Sequence, residues 1–304
     1  MPFIRKQIIC ILFILVGLNT SGQKTVCLET KATSFINNIK ELELEKKYDK
    51  KGNLLVYSET TFSNNIKSYS KKNENEYDFK DRLIKTIFYI NDKEINQNKK
   101  QYDSSGFLIK ESANQNTQII IKKINNIFEK TYLDEKGNQS AKETTQTNLA
   151  GNVIKKTVFD DKNKAISEIS KLFDFEEKLI ESVNDDIAAK IKIKTQFEYN
   201  SDGNALKEIE LLNDELNYFT LNQYQAKRIS KKVKYNKHAQ IEYQLEYKYD
   251  EEGKLIEESY FYKSELISTK KYSFDAQNKI IRETHSNKEN KITKEIIFEY
   301  KKCN

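Results

Sequence analysis

Between Tyr48 and Ile292 one short pattern recurs: an aromatic residue, Asp or Asn, two or three polar residues often ending in Gly, then Leu or Ile. Its clearest copies are Tyr48-Asp49-Lys50-Lys51-Gly52-Asn53-Leu54, Tyr102-Asp103-Ser104-Ser105-Gly106-Phe107-Leu108 and Tyr249-Asp250-Glu251-Glu252-Gly253-Lys254-Leu255, with a further copy at Tyr199-Asn200-Ser201-Asp202-Gly203. Gly at the fifth position supplies a positive φ at little steric cost, and Asp or Asn at the second can bond backbone groups two residues on. In weaker copies Asp81, Asn163, Asn278 and Asn290 stand where Gly stands elsewhere, and these residue types tolerate the left-handed region best after glycine. Other copies begin at Tyr77, Phe159, Phe173, Tyr235 and Phe274, with fainter ones at Leu133, Thr147 and Ser286. A chain punctuated this regularly folds as a repeat array, each unit supported by its neighbours.

Between the turns the side chains alternate. Leu42, Leu44 and Tyr48 share one face and Glu43, Glu45 and Lys47 the other; Ile191, Ile193, Phe197 and Tyr199 alternate with Lys and Gln, and Ile241 to Tyr249 does the same. Period two is the signature of a half-buried strand. Where copies lie about 25 to 29 residues apart, a tighter turn is expected midway, at Asn91-Asp92-Lys93, Asn184-Asp185-Asp186, Asn213-Asp214 and Lys263-Ser264. Leu211 to Phe219 and Lys164 to Lys171 read as strands for the same reason. The expected fold is all-β, a long antiparallel meander of hairpins forming one elongated, twisted or curled sheet. With 37% hydrophobic and 32% charged residues, each segment buries only a thin layer, and the single proline, Pro2, leaves the ladder amides intact.

Residues 1–22 read as an export signal: Arg5 and Lys6, an apolar run from Ile8 to Gly17, and Thr20-Ser21-Gly22 before the cleavage point. That run is shorter than the roughly 20 residues a spanning helix needs, so no transmembrane anchor is expected after cleavage. Residues 23–40 carry no repeat and read as a leader covering the first strand edge; 41–304 form the array. Losing Arg5 and Lys6 takes the formal charge from +6 to +4, and Lys and Glu are interspersed, so nucleic acid is not an expected partner.

The turn signature resembles the tyrosine-aspartate (YD) repeats of the RHS family across roughly residues 41 to 300. The resemblance implies a cell-surface or secreted bacterial β-repeat protein, whose larger members spiral into a shell around a toxin. This array reads as shorter than a closed shell needs, so encapsulation is not expected of it, and the family transfers no catalytic residue to it.

The chemical candidates are few. His238 and His285 lie in or beside expected turns without Cys or His partners at ligand spacing, so no zinc site is expected. Asp160-Asp161 and Asp185-Asp186 lack the staggered donors of a calcium loop. Glu176-Glu177 and Glu257-Glu258 read as strand neighbours pointing to opposite faces, the wrong geometry for a glycosidase pair. No phosphate loop or nucleophile elbow appears. The reading is therefore a non-enzymatic protein without cofactor or metal, exported to the periplasm, outer surface or medium, which binds a protein or polysaccharide at the cell surface through an exposed sheet face. Alternatives are a structural scaffold that self-associates through free end strands, and an immunity-type partner of a secreted toxin. Cys27 and Cys303 bracket the array; a disulfide between them requires the ends to meet, and an extended meander is expected to hold them apart as separate thiols.

Overall fold

The computed structural model describes residues 29–36, 39–113 and 117–300. Among them are 22 strands in one sheet. The first quarter comprises β1 (Glu29–Ile36), β2 (Ile39–Tyr48), β3 (Leu54–Ser63), β4 (Ile66–Tyr77), β5 (Leu83–Ile90) and β6 (Lys93–Tyr102). Then come β7 (Leu108–Ala113), β8 (Thr117–Ile124), β9 (Ile127–Leu133), β10 (Gln139–Thr147), β11 (Val153–Phe159) and β12 (Ala165–Phe173). The second half contains β13 (Leu179–Asp186), β14 (Ile191–Tyr199), β15 (Ala205–Leu212), β16 (Glu215–Gln225), β17 (Arg228–Asn236) and β18 (Ile241–Tyr249). The last four are β19 (Leu255–Tyr262), β20 (Glu265–Phe274), β21 (Ile280–Asn287) and β22 (Ile292–Tyr300). Each strand pairs antiparallel with the next, as the alternation implies; Leu211 to Phe219 supplies the end of β15 and the start of β16 around the Asn213-Asp214 turn, and Lys164 to Lys171 lies in β12 from Ala165 on.

The sheet is closed. β1 pairs with β2 on one side and with β22 on the other, Ala32 lying between Leu44 and Phe298 and Thr33 between Glu43 and Ile297. This corrects the expectation of an open array whose ends stay apart: β1, from the expected leader, covers the edge of β2 and pairs with β22 as well, and 22 strands are ample for a barrel, since closure needs about eight. At ~4.8 Å per strand, a round cross-section would be roughly 33 Å or more from backbone to backbone. Cys27 and Cys303 lie outside the described residues, but the strands they adjoin are neighbours, with Glu29 opposite Tyr300.

Both sides of the wall are wet. Among the described residues only Ala32, Ile121, Val233, Ile296 and Phe298 are buried hydrophobics, and no side chain is fully buried. A packed lumen would bury every second residue of each strand; β18 is instead half-buried on both faces along nearly its whole length. The register carries two side-chain sets around the cylinder without a break. One holds Leu44, Tyr57, Phe88, Tyr132, Phe197, Tyr218, Tyr243, Tyr247, Tyr272 and Phe298; the other holds mostly Lys, Glu, Ser, Thr and Gln. On a concave wall side chains converge and shield one another, whereas on a convex wall they splay. Burial is the leading cause of the raised tyrosine pKa values on the aromatic face, at Tyr218, Tyr243, Tyr247 and Tyr272. On the other face hydrogen-bonded ion pairing leads, at Glu181, Glu257 and Lys85. The grooves in the wall open on the same set, Lys234, Tyr243, Tyr260 and Tyr262 bordering one and Ser230, Tyr247, Tyr249 and Ile256 another, so the aromatic face is the concave one that lines the lumen. Neither face forms the uncharged apolar band of a lipid-facing barrel, because Lys71, Lys100, Lys156 and Glu59 interrupt the inner one and ion pairs cover the outer one.

Among the described residues, twelve five-residue turns begin at the second position of the twelve motif copies, and in every one the leading Asp or Asn amide is bonded to the carbonyl of the fifth residue. In the turn after β2, Asp49 Oδ1 accepts the amides of Lys51 at 2.8 Å and Asn53 at 2.9 Å. Gly52 stands at φ 92°, and Asp81, Asn163, Asn278 and Asn290 take the same place at 60° to 64°. Glu177 and Ala239 do so as well, at 62° and 58°, which locates Glu176-Glu177 in a turn instead of a strand. Asn64-Asn65, Asn91-Asp92, Asn213-Asp214, Ala226-Lys227 and Lys263-Ser264 are two-residue reversals with both φ values positive, the geometry that matches strand twist. Asn184-Asp185-Asp186 differs from expectation by belonging to β13: Asp186 Oδ1 caps the amide of Ala189, and the chain reverses at 187–190.

Candidate functional site: an aromatic strip on the inner wall

The barrel has a terminal rim, where β1 begins and β22 ends, and a far rim. The best-formed motif turns, Tyr48 to Leu54, Tyr102 to Leu108, Tyr199 to Gly203 and Tyr249 to Leu255, all stand on the terminal rim and build it. There four motif tyrosines and Tyr300 at the end of β22 reach back to a carbonyl about 20 residues earlier: Tyr77 to Leu54 at 3.0 Å, Tyr102 to Leu83 at 2.9 Å, Tyr199 to Leu179 at 2.7 Å, Tyr249 to Ile229 at 2.9 Å and Tyr300 to Ile280 at 2.8 Å. A cation from the preceding repeat covers the ring, as with Arg82 on Tyr102 at 4.7 Å and Arg228 on Tyr249 at 5.8 Å. At Gly253 a Cβ would fall 1.8 Å from Arg228 Nη2, so any other residue there must displace the arginine tip. These motif residues thus join hairpin to hairpin, and Asp and Leu at the repeat positions are structural groups.

The inner wall changes character along the chain. From β4 to β6 it presents Asn73, Asn75, Thr86, Asn96 and Asn98. From β16 to β21 it presents a dense strip of tyrosines. Strand β18 carries Tyr243, Leu245, Tyr247 and Tyr249 in one row from the far rim to the terminal rim. Tyr262 and Tyr260 of β19 lie opposite Tyr243 and Leu245, while Lys234 and Lys232 of β17 flank the same two residues on the other side. Tyr243 and Tyr260 are tilted 44° with centroids 6.0 Å apart. Lys234 Nζ sits 3.8 Å from the Tyr218 ring and 5.9 Å from that of Tyr243, and it pairs with Glu242 at 3.2 Å. The Tyr218 hydroxyl donates to Glu210 at 2.7 Å. At the far rim Lys234, Asn236, Gln240, Tyr243, Tyr260 and Tyr262 border a groove of about 760 Å³, with Tyr262 49% exposed.

Charge on the strip is balanced within it. Lys270 lies between Glu258 at 3.6 Å and Glu283 at 4.0 Å. His285, expected in a solvated turn, is a half-buried inner-wall residue of β21 whose Nε2 lies 2.6 Å from Glu283 Oε1. Burial pulls the Glu283 pKa upward, but the bond to His285 and the Lys270 charge outweigh it and leave it below the ordinary value. Every resolved carboxylate shift among the described residues is downward, at Glu43, Asp49, Glu74, Asp78, Asp103, Asp134, Glu181, Glu257 and Glu283. None is therefore held protonated near neutral pH as a general acid requires. Burial pushes the Tyr247 phenol up to about 12, so it is a neutral hydrogen-bonding group at working pH. Glu257 and Glu258 face opposite ways, Glu257 outward to Lys248 and Lys271, Glu258 inward to Lys270. His238 is exposed in the far-rim turn, and the described residues hold no cluster of three metal-ligating side chains.

No protein-family model matches the chain, and no curated protein matches it. Among solved structures, the crystal structure of TcdB2-TccC3-TEV is similar over 83% of this chain at 12% identity with a TM-score of 0.41; the chain spans 15% of that protein's length. A porin-like protein from Bacteroides uniformis is similar over 90% of this chain and 98% of its own length, at 8% identity and a TM-score of 0.31.

Proposed function

We propose that the chain is an exported, non-enzymatic binding protein of the RHS-like β-repeat class that engages a cell-surface or extracellular component through the inner wall of its barrel. The observation that carries this reading is the wet aromatic strip of β16 to β21, because solvent-reachable tyrosines lining a concavity are costly to leave in water and are typical of recognition surfaces. The outer face, expected from sequence to bind, has its charges matched to one another: Lys85 with Glu76 at 2.8 Å, Lys194 with Glu181 at 2.8 Å, Arg282 with Glu295 at 2.8 Å. The scaffold alternative drew on free end strands, and β1 and β22 occupy each other's edge.

The test uses adjacent residues of β14 on opposite faces. Thr195→Cys points inward and Gln196→Cys outward, each in a background with Cys27 and Cys303 changed to Ser, and each is coupled to a short polyethylene glycol. Sedimentation with envelope material from the source cell should show binding abolished by the inward adduct and kept by the outward one. The reverse pattern would return recognition to the outer face.

A further inference from the structure

We infer that the ligand of the β18 strip is an uncharged linear oligosaccharide lying along the wall from the far rim toward the terminal rim; this rests on the inner-wall reading above. Three properties of the strip point to that class. First, Tyr243, Leu245, Tyr247 and Tyr249 stand in one row with Tyr260 and Tyr262 beside it, so aromatic side chains follow one another along the strand, and a pyranose presents apolar C–H faces that stack on aromatic rings. Six residue steps at the strand rise give about 20 Å, the length of roughly four extended pyranose units.

Second, the polar groups around the rings include both signs and both hydrogen-bonding roles. Lys234 donates, Glu242 accepts and Gln240 does both, while Asn236 Oδ1 is taken up by the His238 and Gln240 amides. A hydroxyl needs a donor and an acceptor together, so a sugar satisfies this border. An anionic chain would meet Glu210, Glu242, Glu258 and Glu283, and a cationic one Lys232, Lys234, Lys263 and Lys270; with each sign already balanced inside the wall, a charged ligand gains little and forfeits its own solvation.

Third, a peptide is disfavoured by the ladder. Extended peptides bind sheets chiefly by adding a strand to an open edge, and β18 is paired on both sides by β17 and β19, within a cylinder that has no edge among its described strands. The wall offers a peptide side-chain contacts only.

Titration calorimetry of the mature protein with glucose oligomers of increasing length, in α-1,4 and β-1,4 linkage, tests the assignment beside oligogalacturonate and a polyalanine-rich peptide as charged and peptide probes. Affinity for one neutral series should rise with length and level off near the tetramer. Tyr243→Ala and Tyr260→Ala should each weaken it roughly tenfold, as loss of one stacking face does, while Tyr243→Phe, which keeps the ring, and Tyr89→Ala on the outer face change it less than twofold. Circular dichroism identifies any variant that has lost its sheet, and the Phe variant then decides. Binding of oligogalacturonate or the peptide, weakened by the same alanine changes, would overturn the neutral-glycan assignment and keep the inner wall as the site. Neutral-glycan binding indifferent to Tyr243 and Tyr260 would overturn both readings. Absence of binding by either neutral series overturns the assignment, and the polyethylene glycol experiment then judges the wall independently.

Discussion

The seam where β22, β1 and β2 meet is packed differently from the stretch β4 to β6, although both belong to one continuous sheet. At the seam Ala32, Ile296 and Phe298 form a buried apolar cluster with Leu44, Ile280 and Tyr300 against it. On the same inner face of β4 to β6, Asn73, Asn75, Asn96 and Asn98 stand where those apolar groups would be, and the ladder and local side-chain bonds do the holding. Inside the array every contact is between neighbours close in sequence, so each hairpin adds its own small increment. Closure alone joins residues some 270 apart, as where the Thr30 hydroxyl meets the Glu299 carbonyl, and it must overcome the loop entropy of the whole chain. Apolar burial is concentrated where that cost falls.

Four changes would break or sharpen this contrast. The largest effect is expected from the flanking cysteines: a disulfide between Cys27 and Cys303 would tie the two ends of the array together, and its reduction would lower stability in urea by roughly 5 kcal/mol. Non-reduced peptide mapping finds the bond, and free thiols would mean that packing alone shuts the seam. Next, Phe298→Ala should cost about 3 to 5 kcal/mol, against about 1 to 2 for Phe88→Ala on the inner wall opposite Asn73. Equal losses would remove the distinction between seam and wall.

Within the rim, Gly253→Ala should destabilise by about 1 to 2 kcal/mol and Gly151→Ala by about 1. Both sit at positive φ, but only at Gly253 must an arginine leave its tyrosine to make room. The smallest effect concerns Glu43, which joins Lys31 of β1 at 3.1 Å to Lys40 of β2 at 2.6 Å. The Lys40 hydrogen bond, against some burial and with help from Lys31, lowers its pKa below the ordinary 4.5. Its stabilisation is therefore complete above about pH 4.5 and lost as pH falls through the folded value. Glu43→Gln should flatten the acid limb of the stability profile by under about 1 kcal/mol. At the other extreme, the buried phenols ionise late: Tyr247, held neutral until about 12, adds stability that is full below pH 10 and fades through its folded pKa, and absorbance at alkaline pH should show its delayed ionisation beside the exposed tyrosines.

The strands and turns were legible because their causes are local. Alternation over eight residues fixes which side chains share a face, and an Asp that caps an amide four residues on marks its own turn. The tyrosine latches had a weaker signal, the recurrence of aromatics about 20 to 25 residues apart. Glu177 and Ala239 occupy left-handed positions that nothing in their own chemistry favours; the surrounding five-residue turn imposes the conformation. β1 carries none of the motif's residues, so its role in the wall was hidden. The side that faces the lumen, and the fact of closure, were hidden for a deeper reason: curvature accumulates over all the strands, and the pairing of Ala32 with Phe298 leaves no mark near either residue. His285 was misread for the same reason, since its partner Glu283 shares its face only because β21 runs through that point.

Closure is tested most directly by placing cysteines at the facing pair Thr33 and Ile297, with Cys27 and Cys303 changed to Ser, and oxidising the dilute protein. The account predicts a near-complete intramolecular disulfide linking β1 to β22, seen as one cross-linked peptide pair. Thiols that stay free, or that link only between molecules, would contradict it.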